Sequence, residues 1–264
     1  VIQVKEPTSD ARTWSARYGG VMSDADINFY FDPVCPFAWM TSKWVRTVSA
    51  QRDYSVDWRF ISLRKINSHV DYDAQFPPRY EAGHTAGLRL LRVAAKARAD
   101  HGRDAVAALY AGYGAHIFDS DAPKKSADPT SDTRGTRAFV EPILTEVGLP
   151  ATLADALDDE SYDALIQTES DEALALTGKD VGTPIIHFEP PNGTAFFGPV
   201  ISQLPNDEDA VRLWDHVVGL ASFPGFAELK RSLRERPQLR AFGVAPDATG
   251  KKEDWHGGSR RTKH

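Results

Sequence analysis

A single cysteine, Cys35, stands among 264 residues, so no disulfide can form within one chain. The same scarcity excludes a CxxC dithiol and a multi-cysteine zinc site built from one chain. Long apolar runs are missing too, and none approaches the roughly 18 residues of a membrane span. There is no basic excess: 31 Lys and Arg face 37 Asp and Glu, a formal charge of −6. That balance argues against a chain built mainly to grip nucleic acid or an anionic membrane. Residues 1–21 carry Lys5, Arg12 and Arg17 but no apolar stretch of signal-peptide type. With Met22 just ahead of the first strand-like run, residues 1–22 are expected to be an N-terminal extension. Sparse cysteine and the missing signal together suggest a reducing, cytoplasmic setting. No repeat recurs at a fixed period.

What is present is ordinary globular composition, 41% hydrophobic and 26% charged. Ile27 to Phe31 is dense in β-branched and aromatic side chains and stops at Asp32-Pro33, a strand signal. A helix is expected from Pro36, since proline suits a first helical position. A second strand is expected from Val56 to Leu63. Helical spacing then dominates for more than 100 residues. Leu88, Leu91 and Ala95 mark one helix, and Val106, Leu109, Tyr110, Tyr113 and Ile117 another, with Asp104 as its cap. Asp119 to Asp132 reads as a polar loop. Val140, Ile143, Leu144 and Val147 mark a helix that starts late, with Pro142 in its first turn and Gly148 at its end. Tyr162 to Leu176 marks one more, ending at Gly178.

Strands resume over Pro184–Glu189 and Thr194–Val200, joined by Pro190-Pro191-Asn192-Gly193, a hairpin signal. A helix over Asp207–Ala221 and a short one within Phe223–Leu233 complete the list. The order β, α, β, helical block, β-hairpin, α describes a sheet divided by an insertion. It assigns 23–75 and 180–236 to one α/β domain, 76–179 to an inserted helical domain, and 237–264 to a polar tail.

Cys35 falls where a strand ends and a helix begins. Unpaired N–H groups and the helix dipole favour negative charge there, so its thiol is expected below the ordinary pKa of about 8.5. Most single cysteines are small buried hydrophobes; the Cys-Pro pair at this junction favours a nucleophile instead. Val181-Gly182-Thr183-Pro184 precedes a strand. By frequency alone Thr183-Pro184 would be trans, since only about 5–6% of X–Pro bonds are cis. A cis-proline beside a reactive cysteine would place the Thr183 backbone where a thiol substrate can pair with it.

Phe31-Asp32-Pro33-Val34-Cys35-Pro36-Phe37-Ala38-Trp39, followed by Thr41-Ser42-Lys43-Trp44, resembles the active-site segment of DsbA-like thioredoxin-fold oxidoreductases. Within that group the chain resembles the actinobacterial mycothiol-dependent nitroreductase family. Asp180 to His187 is similar to that family's cis-proline segment, Phe196-Phe197-Gly198-Pro199-Val200 to its following strand, and Phe223 to Lys230 to its closing segment. The likeness runs from about Asp26 to Arg236. It implies a thioredoxin fold with a large all-helical insertion folded over the cysteine, often as a homodimer. It implies mycothiol, or a similar small thiol, as cosubstrate, with no tightly bound cofactor.

The sequence departs from that pattern where the family's dithiol members carry a second cysteine, three residues after the first. Here the position is Ala38, as in a natural monothiol member or a substitution made to trap intermediates. Without an internal resolving thiol, an external one must attack any mixed disulfide on Cys35. The leading expectation is therefore a monothiol thiol–disulfide oxidoreductase with Cys35 as nucleophile. Pro36, Phe37, Ala38, Trp39, Thr183 and Pro184 are the candidate thiol- and substrate-binding residues. Phe37 is the best placed of these to face the cleft, whereas Trp39 and Trp44 suit the core of the helix. The alternatives are a thiol-dependent isomerase or transferase of kappa-class type, whose relatives commonly carry serine at this position, and a non-catalytic thiol-binding or chaperone module.

Other polar residues suggest less. Asn67 and His69 are expected to satisfy local backbone groups. His84, His101 and His116 lack paired metal-site spacing, and His187 alternates within a strand. Gly112 and Gly114 follow no strand and form no phosphate-binding loop. No metal is expected.

Overall fold

A computed structural model describes residues 24–76, 79–121, 126–178, 181–230 and 237–244, with the backbone of 234–235 and 252–253. The expected extension 1–22, Asp180 of the second motif and most of the polar tail lie outside the described residues.

Ile27–Phe31 forms β1, every side chain of which is buried, as in a strand covered on both faces; Asn28 and Tyr30 lie on the face opposite Ile27, Phe29 and Phe31. It pairs in parallel with β2 (Val56–Phe60) and antiparallel with β3 (Ile185–Phe188). With β4 (Thr194–Phe197) the sheet runs β2-β1-β3-β4. Helix α1 (Pro36–Arg52) makes the crossover between β1 and β2. Between β2 and β3 lie α2 (Leu63–Ile66), α3 (Tyr72–Gln75), α4 (Tyr80–His101), α5 (Arg103–Phe118), α6 (Arg137–Glu146) and α7 (Asp163–Thr177). Helix α8 (Asp207–Ala221) follows β4. This β-α-β and β-β-α arrangement around one mixed sheet, opened by a helical insertion, is a thioredoxin fold of DsbA-like type. A short antiparallel pair joins Arg234–Glu235 to Lys252–Glu253.

One face of the sheet presents Ile27, Phe29, Phe31, Trp58, Phe60 and Ile186 to the main apolar core. Trp44 of α1 tilts against Trp214 of α8 and donates its indole N–H to the Ala210 carbonyl at 2.9 Å. The insertion shares this core. Tyr110 of α5 stacks on Phe31, ring centroids 3.7 Å apart, and buried side chains of α4, α5 and α6 belong to the same cluster. Each such large side chain contributes roughly 1.5–3 kcal/mol by leaving water.

Beneath α7 the other face carries a smaller apolar cluster of Tyr30, Ile61, Ala173 and Ile185, with a polar network beside it. Tyr30 donates to Glu172 at 2.7 Å, and Arg59 reaches Glu172 at 3.0 Å and Glu169 at 3.4 Å. Glu169 also takes Arg98 at 2.8 Å and accepts from the Phe60 amide. The Ser62 amide donates to Ser170 Oγ. Side chains of α7 thus cover the outer edge of β2, which would otherwise offer free amides to another chain.

Several boundaries differ from those expected. The strand β2 stops at Phe60, because Ser62 caps α2 through Lys65 N. Gly102, not Asp104, caps α5; Asp104 sits in the first turn. Helix α6 begins at Arg137 and carries Pro142 in its interior, since burial of Val140, Ile143 and Leu144 outweighs one missing hydrogen bond. Residues 223–230 form no helix: Gly225 turns the chain at φ +86° and Phe223 and Leu229 stay exposed.

Candidate active site

The turn Asp32-Pro33-Val34-Cys35 carries the chain from the end of β1 into α1. Cys35 N donates to Asp32 O at 3.0 Å, and Cys35 is the N-cap, extended at φ −85° and ψ 113°, with Pro36 as the first helical residue. A residue so placed aims its side chain back at the helix amides. The sulfur accepts from Ala38 N at 3.4 Å. Its own proton points the other way, to the carbonyl oxygen of Thr183 at 3.5 Å.

Thr183 comes from the segment before β3. Its peptide bond to Pro184 is cis. Its hydroxyl donates to Tyr30 O at 3.1 Å, and Gly198 N donates to Pro184 O at 2.9 Å. The segment is therefore pinned to the end of β1 on one side and to the end of β4 on the other. Thr41 of α1 closes the ring by donating to Pro199 O at 2.8 Å.

Asp32 is the residue that sequence reasoning used only as a strand stop. It is fully buried, and its two carboxylate oxygens accept from Val34 N at 3.0 Å and Leu63 N at 2.7 Å. Helix α4 rests directly on it: a Cβ on Gly87 would come within 2.6 Å of Asp32 Oδ1. An acidic residue immediately before proline, at the end of an apolar strand, was the available signal. Burial raises this carboxyl to about 6, against the lowering effect of the two amides and of Arg134.

The thiol is not acidified as its position at a helix start suggested. Burial pushes Cys35 up to about 12, outweighing the Ala38 and Phe37 amides, and the Asp32 charge acts in the same direction as burial. Desolvation of a thiolate under the insertion exceeds what two amides return.

Of the other candidate residues, Pro36 and Phe37 are half-buried at the rim and Ala38 is fully buried beneath the sulfur. Trp39 is core. Its ring edges onto Tyr110, its N–H donates to Asp119 at 3.0 Å, and it lies where a Cβ on Gly114 would stand, 2.2 Å away. Trp39 thus holds the insertion onto α1, and Gly114 serves that contact. Asn67 is buried and donates to Leu63 O, a local backbone role. His84 bonds Tyr72 and His116 bonds Glu146. Burial and Arg59 hold His187 below its ordinary range. Among the described residues no group of three His, Cys, Asp or Glu side chains is placed to hold a metal ion. A groove of about 600 Å³ between α5 and α6, lined by Ala111, Gly112, Ala115, Glu146 and Val147, includes none of the site residues.

Among known proteins, the chain is 32% identical over 206 residues to the uncharacterized protein Rv2286c of Mycobacterium tuberculosis (strain ATCC 25618 / H37Rv), covering 78% of this chain and 81% of that one. Similar solved structures include 2-hydroxychromene-2-carboxylate isomerase, at 10% identity and TM-score 0.47, covering 73% of this chain and 94% of that one. Another is the reduced disulfide bond oxidoreductase DsbG of Mycobacterium tuberculosis, at 16% identity and TM-score 0.39, covering 70% and 82%. No helix among the described residues is long and apolar enough to cross a membrane. The family model described as Rv2466c-like, mycothiol-dependent nitroreductase Rv2466c, matches residues 34–231, from the turn that presents Cys35 to beyond α8, and the chain belongs to that family.

Proposed function

We propose that the protein is a monothiol thiol–disulfide oxidoreductase in which Cys35 exchanges with a small external thiol, mycothiol by its family. The observation that carries this reading is the position of the chain's one cysteine thiol, between a helix-start amide and the carbonyl before a cis-proline. In the first step Cys35–SH meets a disulfide R–S–S–R′. The Cys35–S–S–R bond forms, the R–S–S–R′ bond breaks, and R′ leaves as a thiol with the proton that Cys35 gives up. In the second step a reduced small thiol R″–SH attacks the R sulfur of the mixed disulfide; the R–S–S–R″ bond forms, the Cys35–S–S–R bond breaks, and Cys35 leaves as thiolate and takes up the proton the attacking thiol gave up. Ala38 makes that second molecule obligatory.

The local geometry supports each role. The Ala38 and Phe37 amides stabilise the sulfur as charge develops on it, in attack and again in departure. The main chain at Thr183, freed of the thiol proton, offers its carbonyl to the incoming thiol. Pro36 and Phe37 form the half-buried rim that substrate meets first. A free, unpaired thiol with this role fits a reducing compartment such as the cytoplasm.

The test is incubation with mycothiol disulfide followed by intact-mass measurement. The expected result is one mycothiol added per chain, removed by reduced mycothiol and absent from Cys35→Ser. No adduct on the native chain would overturn the reading. A nitroreductase assay with reduced mycothiol then asks whether the family's reaction proceeds with one cysteine.

A second reading has one observation in its favour, the Cys35 thiol donating to the Thr183 carbonyl. A sulfur that stays a hydrogen-bond donor suits a thiol-dependent transferase or isomerase that never forms a mixed disulfide. Turnover of a thiol-activated substrate without any Cys35 adduct would select it.

A further inference from the structure

We infer that Asp32 is a positioning residue whose buried carboxylate, when ionised, opposes formation of the Cys35 thiolate beneath the insertion. This rests on the reading of Cys35 as the reacting thiol.

Two sets of observations carry it. The first is geometric. Asp32 is three residues before Cys35 in the same turn, its carbonyl accepts from Cys35 N, and its carboxylate holds the amides of Val34 and Leu63. It therefore fixes the backbone that presents the sulfur. Asp32 is fully buried, and the Gly87 turn of α4 is pressed against Oδ1. In such surroundings a charge is felt strongly by its neighbours.

The second concerns what faces the pair. Around Asp32 the interacting titratable groups are Arg134, from the turn over Thr133–Gly135, Tyr72 of α3, Tyr110 of α5 and Cys35 itself. Arg134 is engaged with Asp132, to which it donates at 2.6 Å, and is no dedicated partner for Asp32. Tyr72 and Tyr110 are held neutral by burial. No cation faces Cys35 among the groups that shift it. An ionised Asp32 thus opposes the thiolate with no cation among the groups that shift Cys35 to offset it, while a protonated Asp32 removes that opposition. The carboxyl sits near 6, so the switch falls just below neutrality.

The consequence is measurable because Cys35 is the chain's one thiol, and peptide mapping separates its adduct from any on Met22 or Met40. Rates of reaction of Cys35 with iodoacetamide, a neutral probe, are followed by peptide mapping from about pH 4.5 to about pH 8.5. A lone thiol would give a rate rising tenfold per pH unit throughout its protonated range. The native protein is expected to rise, flatten where Asp32 ionises, and rise again. Asp32→Asn is expected to lose the flattening and to react at about pH 7.5 at least about threefold faster, a tenfold gain corresponding to about one unit of downward shift in the thiol. A purely structural role for Asp32 would alter melting without producing the flattening in the native profile.

A straight native profile, or a folded Asp32→Asn with an unchanged one, would overturn the inference. Should Asp32→Asn fail to fold, the native profile decides alone. The mycothiol-disulfide adduct assay keeps the two readings apart. A flattened alkylation profile without an adduct sinks the oxidoreductase but leaves the Asp32–Cys35 coupling. An adduct with a straight profile does the reverse.

Discussion

The sulfur of Cys35 donates to the carbonyl oxygen of Thr183 across 3.5 Å, although 148 residues separate them in the chain. Helices α2 to α7 are threaded between the two halves of the site. Neither half is complete alone. The helix start supplies the nucleophile and its amides, and the cis-proline segment supplies the acceptor that fixes the thiol proton.

The acceptor is itself held by one side-chain bond, Thr183 Oγ1 to Tyr30 O at 3.1 Å. Thr183→Val keeps the shape and removes that bond, which is worth about 1 kcal/mol. The expected result is a melting temperature lower by about 2–4 °C and faster alkylation of Cys35, because the segment covering the sulfur loosens. Unchanged melting and unchanged alkylation together would show that the hydroxyl does not anchor the segment.

Ala38→Cys restores the spacing of a dithiol. Ala38 is fully buried and its amide already touches Cys35 Sγ, so a thiol there starts close to its partner. The variant is expected to oxidise to an intramolecular disulfide, a mass lower by two hydrogens, and to release bound mycothiol without added reductant. The extra sulfur in a packed site costs about 1–3 kcal/mol of stability. A persistent mycothiol adduct on Ala38→Cys would show that position 38 cannot reach the mixed disulfide.

Most of the architecture was legible because its signals are local. The β-branched and aromatic run from Ile27 to Phe31, proline after Cys35 and glycine at 148 and 178 each mark an element or its end. What was not legible depended on contacts between distant segments. Pro142 ought to delay α6, yet three core side chains draw the helix past it. Ser62 to Leu63 ought to extend β2, but Ser170 Oγ and the Asp32 carboxylate take those two amides, and Ser62 Oγ caps a new helix through Lys65 N. The acidity expected of Cys35 was wrong in direction, since the helix start is visible in sequence and the depth of burial is not. Asp32 was missed for the same reason.

Gly114 reports the contact between insertion and active-site helix. A Cβ there would stand 2.2 Å from the ring of Trp39. Gly114→Ala is expected to displace the indole, break its bond to Asp119 and destabilise the protein by about 1–3 kcal/mol despite alanine's better helix propensity. Chemical denaturation measures the loss. Trp39→Phe, which shortens the ring, is expected to recover part of it in the double variant. Additive losses in the double-mutant cycle would mean the two residues do not meet.

The α7 network predicts a different asymmetry. Arg59 is buried between Glu169 and Glu172. Arg59→Leu leaves those carboxylates facing each other without their shared cation, a loss of about 3–5 kcal/mol. Adding Glu172→Gln to it is expected to restore a part, because one of the two stranded charges disappears. Equal stability of the single and double variants, by urea midpoint, would show that Arg98 alone suffices for both.

Asp32 also makes stability depend on pH in a direction opposite to most carboxylates. Its folded pKa is raised, to about 6 from 3.8, because burial disfavours the charge. The folded state therefore keeps a proton that the unfolded chain releases. The stability this contributes is full below about 3.8 and is lost as pH rises through about 6. The loss is on the order of 3 kcal/mol. Asp32→Asn cannot titrate, so the stability of the native chain relative to this variant is expected to fall from about pH 4 to about pH 6.5 and level above it. Urea midpoints of the two proteins across that interval measure the difference. A gap that widens in favour of the native protein as pH rises would mean that the amides of Val34 and Leu63, not burial, set the ionisation of Asp32.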